Sequence, residues 1–220
     1  MKIKHTILIG SLLFVSVSLI AQDKTQPPAK PSAPIAAPDK TATPSQPKMD
    51  EKSAAAAAEK AWMEYATPGS MHKILMADEG DWSEEMTFWM APGAPPTKAK
   101  AEFTSKSILD GRFQESLHKG EMMGMPFEGR SIVGYNNATK MFESTWIDNM
   151  STGVIFMKGT YDEKKNCINY TGKETDPETK KEIPVREVFT ITDDNTRKLE
   201  MWHTKNGKES KMMEITMTRR

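Results

Sequence analysis

Residues 196–218, TRKLEMWHTKNGKESKMMEITMT, decide the fold class. Before the dipeptide Asn206-Gly207, the side chains Leu199, Met201 and His203 alternate with Lys198, Glu200 and Trp202. After it, Met213, Ile215 and Met217 alternate with Glu and Thr. A two-residue period places successive side chains on opposite faces of a β-strand, and Asn-Gly is the strongest short signal for a hairpin turn. The segment therefore predicts two antiparallel strands joined by a tight turn.

The same alternation extends back from this hairpin as far as residue 81. Short β-forming runs are separated by Gly, Pro, Asn and Asp, which favour turns. Ten strands are predicted, at 81–90, 97–109, 112–121, 128–136, 140–148, 152–162, 166–174, 184–192, 196–204 and 208–218. Strands joined by successive hairpins form a meander that usually closes to remove its edges. We therefore predict a mainly β protein, an antiparallel up-and-down β-barrel of about ten strands with room for one small ligand.

Two short helices are expected before the barrel. An alanine-rich segment from Ser53 to residue 66 has a composition that favours helix. Thr67 and Pro68 are expected to begin a second helix, as N-cap and first helical residue, and Gly80 is expected to end it. Helices and barrel together define one predicted domain, 53–220.

The first 52 residues have the composition of a leader and a linker. Residues 1–21 join two lysines to an apolar run, the layout of a signal peptide, with cleavage after Ala21 or alternatively after Ser18. Residues 22–52 hold seven of the 14 prolines and almost no large apolar side chain, so a disordered linker is predicted. We expect an exported protein, periplasmic or extracellular, without a stable membrane span after leader cleavage. The linker is either a solvated tail or an envelope interaction module.

Composition and motifs exclude several classes of protein. Because 30 Lys and Arg balance 30 Asp and Glu, a strongly basic nucleic-acid binder is excluded. Cys167 is the only cysteine, which excludes a disulfide scaffold. The chain has no phosphate loop, dinucleotide fingerprint, nucleophile elbow, zinc-protease motif or Cys-x-x-Cys motif. Scattered acids such as Asp81, Glu115, Asp148 and Glu187 do not predict an acid–base pair, so a binding protein without a cofactor is favoured over an enzyme.

Four residues are predicted to contact a small, largely apolar molecule in the barrel. Trp146 and Asp148 share a strand face just before a turn, where they would form an aromatic wall and a polar anchor. In the alternative interpretation Trp146 is a core residue whose indole N–H finds a nearby acceptor. Arg186 lies on a predicted central strand and is either outward and solvated or inward and paired. His118 completes the set.

His118 also begins a methionine-rich loop, residues 118–129. Imidazole and thioether groups in an exported protein are the ligands that select copper(I). The alternative function is therefore a periplasmic copper(I)-binding protein that uses His118, Met122 and Met125. Methionine is also a flexible apolar side chain that fills gaps in cores, which is the other interpretation of this loop.

Several linked motifs resemble the bacterial family known as domain of unknown function 1579, over roughly residues 62–219. They are Gly80-Asp81-Trp82, Met90-Ala91-Pro92-Gly93-Ala94-Pro95-Pro96, His118-Lys119-Gly120, Met123-Gly124-Met125-Pro126-Phe127-Glu128-Gly129, Gly134-Tyr135-Asn136, Ser144-Thr145-Trp146-Ile147-Asp148-Asn149-Met150 and Arg186-Glu187-Val188-Phe189. That family has no established activity, so the resemblance implies a fold and leaves function open. A more distant resemblance to lipocalin-like barrels implies that Gly80 and Trp82 in the first strand pack near Arg219 or Arg220 in the last.

Overall fold

The computed structural model describes residues 50–220, which form two helices followed by ten strands. Helix α1 spans Glu51–Ala66 and α2 spans Ser70–Met76. The strands are β1 (Gly80–Phe88), β2 (Thr97–Ile108), β3 (Phe113–Met122), β4 (Met125–Asn136), β5 (Met141–Asp148), β6 (Ile155–Asp162), β7 (Cys167–Asp176), β8 (Lys181–Asp193), β9 (Thr196–Lys205) and β10 (Lys208–Arg219). The ten predicted strands are confirmed. The predicted signal peptide and residues 22–49 of the predicted linker lie outside the described residues.

The sheet closes on itself. Each strand pairs antiparallel with the next along the chain, and β1 also pairs with β10, where Trp82 stands opposite Arg219. Closure pairs the backbone groups that an open sheet would leave exposed at its edges. The predicted antiparallel up-and-down barrel is confirmed.

Two hairpin turns show how the sequence sets the register. Asn206 and Gly207 both have positive φ, 53° and 74°, the backbone that a two-residue turn of this type requires. Met123 and Gly124 do the same, with φ of 54° and 77°. Because the second turn is so short, β4 begins at Met125 rather than near residue 128 as predicted.

The helix boundaries differ from the prediction. Helix α1 starts at Glu51 because Asp50 caps it, its Oδ1 accepting a 2.8 Å hydrogen bond from the Ser53 N–H. Thr67 does not cap α2. Its N–H and its hydroxyl both donate to the carbonyl of Met63, so Thr67 closes the C-terminus of α1.

Helix α2 begins two residues later than expected. Its N-cap is Gly69, whose N–H donates to Nδ1 of His72 at 2.9 Å. The helix ends at Met76, and Gly80 is the first residue of β1 rather than the end of the helix. Neither helix of residues 50–220 is long and apolar enough to cross a membrane.

The loop between α2 and β1 is fixed to one end of the barrel by buried polar contacts. Asp78 accepts a 2.7 Å hydrogen bond from Arg197, and its carbonyl accepts one of 2.9 Å from the indole of Trp82. Burial raises the pKa of Asp78, and the Arg197 guanidinium partly offsets this. Arg219 lies 4.3 Å above the Trp82 ring and donates to the carbonyls of Ala77 and Glu79. This is the contact that the lipocalin-like resemblance implied, made by Arg219.

Most of the buried apolar side chains form two clusters on opposite walls of the barrel. The first lies on α2 and strands β5 to β8 and contains Leu75, Phe142, Met157, Ile168, Tyr170 and Val185. The second lies on β1, β2 and β10 and contains Trp82, Met86, Ala101, Phe103, Ile215 and Met217. The interior between these walls is the place where a ligand could fit.

Candidate functional site

A cavity of about 410 Å³ lies inside the barrel. At one end the cavity is bordered by Leu75 of helix α2. At the other end it is bordered by side chains near the ends of the strands, such as Met122 and Met150. Nine of the 17 methionines of the chain line it, namely Met86, Met90, Met122, Met150, Met157, Met201, Met212, Met213 and Met217. This volume lies in the range of small-molecule pockets, and flexible thioethers let a wall adapt to the shape of a ligand.

Rings from five successive strands form a continuous row, and every ring in it except that of the fully buried Trp82 lines the cavity. Trp82 stacks on Phe103 at 5.8 Å between ring centroids, and Phe103 stacks on His118 at 4.8 Å. His118 meets Trp146 edge to face at 5.0 Å, and Trp146 stacks on Phe127 at 6.3 Å. Such offset or edge-to-face pairs are favourable beyond the area that they bury, so this wall is apolar and well ordered.

Gly129 allows Trp146 to take its place in that row. It stands opposite His118 in the β3–β4 register. A Cβ at residue 129 would lie 2.5 Å from two atoms of the Trp146 ring. Only glycine leaves room for the indole to lean across β4 and reach the imidazole.

Two histidines inside the barrel lie against carboxylates. Nδ1 of His118 is 3.1 Å from Oε2 of the buried Glu84, and Nε2 of His203 is 3.2 Å from Oε1 of Glu174. The first pair is a hydrogen bond. The second pair is a close approach without a hydrogen bond, and Nε2 of His203 has no hydrogen-bond partner among the described residues. Both pairs border the cavity.

The interior also contains a carboxyl group without a partner. Glu187 sits in the middle of β8, opposite Tyr170 of β7 and Met201 of β9, and is 8% exposed. It lines the cavity, and desolvation alone raises its pKa from 4.5 to about 7. No group of residues 50–220 donates a hydrogen bond to it or offsets its burial. A buried, perturbed carboxyl in a cavity is a candidate functional group.

Sequence reasoning singled out the residue next to this one. Arg186 was predicted to contact the ligand, but it points out of the barrel, because Val185 and Glu187 on either side of it point in. Its guanidinium makes two 2.8 Å hydrogen bonds to Glu209 and lies 3.7 Å from the Trp202 ring centroid. The expectation that Arg186 contacts a ligand in the barrel is therefore corrected. The alternation of Val185, Glu187 and Phe189 is compatible with an inward Glu187, but Val188 on the other face is apolar too, so the sequence alone does not identify this residue.

The other three predicted contacts all line the cavity. Trp146 and Asp148 share the inward face of β5, and the indole Nε1 donates to Oδ2 of Asp148 at 2.7 Å. Asp148 also accepts the N–H of Met150 at 2.9 Å. The structure thus brings His118, Trp146 and Asp148 together at one side of the cavity, and their contact with a ligand stays a prediction.

The predicted copper ligands are not brought together. Met122 and Met125 are directly opposite each other beside the β3–β4 turn. His118 is four residues from Met122 along the same strand, about 13 Å at the usual rise per residue, and its Nδ1 contacts Glu84. Within residues 50–220, no three His, Cys, Asp or Glu side chains are grouped as metal ligands. This geometry does not favour the copper(I) alternative.

The chain belongs to a family of β-barrel proteins whose function is not known. Residues 67–219 match the family described as Protein of unknown function (DUF1579). This confirms the resemblance drawn from the sequence motifs. The family description adds no ligand and no reaction.

A solved structure shares the fold. The crystal structure of Rv2717c from M. tuberculosis matches with a TM-score of 0.51 and 14% sequence identity, over 70% of this chain and 99% of that one. At that identity the likeness shows the fold alone. The comparison with curated proteins found no match.

Proposed function

We propose that this protein is a non-enzymatic carrier that binds a small, largely apolar molecule inside the barrel. The observation that carries the proposal is the cavity of about 410 Å³, lined mainly by methionine, aromatic and aliphatic side chains. Burying the apolar surface of a ligand there would contribute about 25 cal/mol for each Å² removed from water. The rings from Phe103 to Trp146 provide a rigid face, and the methionines provide an adaptable one.

Export is part of the proposal. It rests on the leader-like residues 1–21 and on the proline-rich residues 22–52. A carrier outside the cytoplasm would collect or deliver its ligand in the periplasm or the medium. The linker, in this view, separates the barrel from whatever its N-terminus contacts.

Binding can be tested with a neutral, apolar fluorescent probe, N-phenyl-1-naphthylamine, titrated into the full mature chain. The decisive variant is Ser144→Phe, because Ser144 lines the cavity and lies between Val133 of β4 and Met157 of β6. A phenyl ring there occupies ligand space, and we expect probe affinity to fall about tenfold, the effect of losing 1–2 kcal/mol of apolar contact.

Thr145→Phe is the matched control. It adds the same ring to the same strand, one residue away on the outer face, and its probe affinity should equal that of the unchanged protein. Trp146→Ala provides a second test that adds no volume: it should weaken probe binding while the far-ultraviolet spectrum is retained. If both phenylalanine variants bind the probe as tightly as the unchanged protein, the probe binds outside the barrel and the proposal fails.

A further inference from the structure

The charges that face the cavity are unevenly distributed. Its wall includes five carboxyl groups, those of Asp78, Glu84, Asp148, Glu174 and Glu187. No Lys or Arg of the described part of the chain lines it. A ligand that carried a carboxylate or phosphate would therefore meet like charges in a medium that screens them poorly. We therefore expect an anionic ligand to be disfavoured at this wall.

Four of those five carboxyl groups have a basic group or a hydrogen-bond donor beside them. Arg197 pairs with Asp78, His118 with Glu84, and His203 lies beside Glu174. Asp148 accepts hydrogen bonds from the Trp146 indole and from a backbone N–H. Asp78, Glu84 and Asp148 are hydrogen-bonded within the fold, and Glu174 has the His203 imidazole 3.2 Å away, so each of these four carboxyl groups has a neighbour that a ligand would have to displace.

Glu187 is the exception. It is more than nine-tenths buried, borders the cavity, and stands between the side chains of Tyr170 and Met201 on the neighbouring strands. A buried carboxylate is costly unless it is paired with a cation or a hydrogen-bond donor. A ligand that brings a cation supplies what the protein lacks at this point.

We infer that the cavity selects a hydrophobic amine, whose protonated nitrogen is bound by the Glu187 carboxylate deep in the barrel. The inference rests on the proposed function and narrows it to one class of ligand. The apolar body of the amine contacts the methionines and the aromatic wall, while the nitrogen donates to Glu187. Tyr170, which also lines the cavity, stands opposite Glu187 on β7.

Three ligands that share a carbon skeleton test this directly: 1-naphthylmethylamine, 1-naphthalenemethanol and 1-naphthoic acid. Each is used at pH 8 to displace N-phenyl-1-naphthylamine from the mature protein. A hydrogen bond to a charged group in place of a neutral one is worth enough to change affinity about tenfold. We expect the amine to bind about tenfold more tightly than the alcohol, and the acid to bind most weakly.

Glu187→Gln keeps the shape of the side chain and removes its charge, and it should bring the affinity of the amine down to that of the alcohol. Glu182→Gln is the control, since Glu182 lies on the same strand, 66% exposed, and pairs with Lys173 outside the cavity. It should preserve the preference for the amine.

The outcomes separate this inference from the proposed function. If the neutral fluorescent probe does not bind, the carrier function itself fails. If the probe binds but the unchanged protein prefers the acid, or shows no preference for the amine, only the inference is overturned. The ligand series with the unchanged protein decides this even if the Glu187 variant does not fold.

Discussion

Replacing Glu187 by Gln should change how stability depends on pH. Burial raises the pKa of Glu187 to about 7 from the 4.5 of an exposed glutamate. Between these values the folded protein holds a proton that the unfolded chain has released. Stability therefore falls as pH rises through this interval. At about 1.4 kcal/mol for each pKa unit, the fully ionised carboxyl costs about 3 kcal/mol of folding free energy.

Glutamine cannot ionise, so the stability of the variant does not fall with pH for this reason. We expect the free energy of unfolding of Glu187→Gln, relative to that of the unchanged protein, to rise by about 3 kcal/mol between pH 4.5 and pH 8. The measurement is urea unfolding followed by tryptophan fluorescence at each pH. The titratable groups on the neighbouring strands are Tyr170 of β7, opposite Glu187, and His203 of β9, opposite Val185. They are present in both proteins, so the effect of their titration largely cancels when the free energy of unfolding of one protein is subtracted from that of the other.

Glu182→Gln serves as the control for this experiment. Its exposed side chain lies on the same strand, and its difference curve should be nearly flat. A flat curve for Glu187→Gln as well would mean that the Glu187 carboxyl is solvated or paired, and the reasoning about the cavity would be refuted.

Three further predictions address the rest of the structure. Asp78→Ala should cost about 3–5 kcal/mol in urea unfolding, because Arg197 is left buried without its partner; a loss below 1 kcal/mol would show that the pair is not structural. Gly129→Ala should displace the Trp146 ring, with an altered near-ultraviolet spectrum and a cost of about 1–3 kcal/mol; an unchanged spectrum would contradict the close approach. Exported protein should have the mass of a chain that starts after Ala21, and retention of the leader would contradict the proposed signal peptide.

The strands could be predicted because their signals are local. Alternation within each strand and turn residues between strands act over two to ten residues, and the ten predicted positions agree with the structure. The helix and strand boundaries that were predicted wrongly are those at which a residue could make one of two alternative local interactions. Thr67 donates a hydrogen bond to the carbonyl of Met63 in α1 and does not cap α2. Met123 has a positive φ, which methionine does not usually adopt, so the turn could not be predicted from this residue type.

The site could be predicted only in part because it depends on barrel closure. Trp146 and Asp148 are two residues apart on one strand, so their shared face is visible in the sequence. The Glu84–His118 contact joins residues 34 apart, and Asp78–Arg197 joins residues 119 apart. Glu187 was passed over because both Val185 and Val188 are apolar, which leaves the inward face of this strand ambiguous until its neighbours are placed.

The most direct test of the carrier function is native mass spectrometry of the mature protein purified from the cells that produce it, compared with its mass after denaturation. We predict an additional organic mass of a few hundred daltons at most, in keeping with a cavity of about 410 Å³, and this mass should disappear on denaturation. A native mass equal to that of the bare chain, together with no uptake of N-phenyl-1-naphthylamine, would contradict the account.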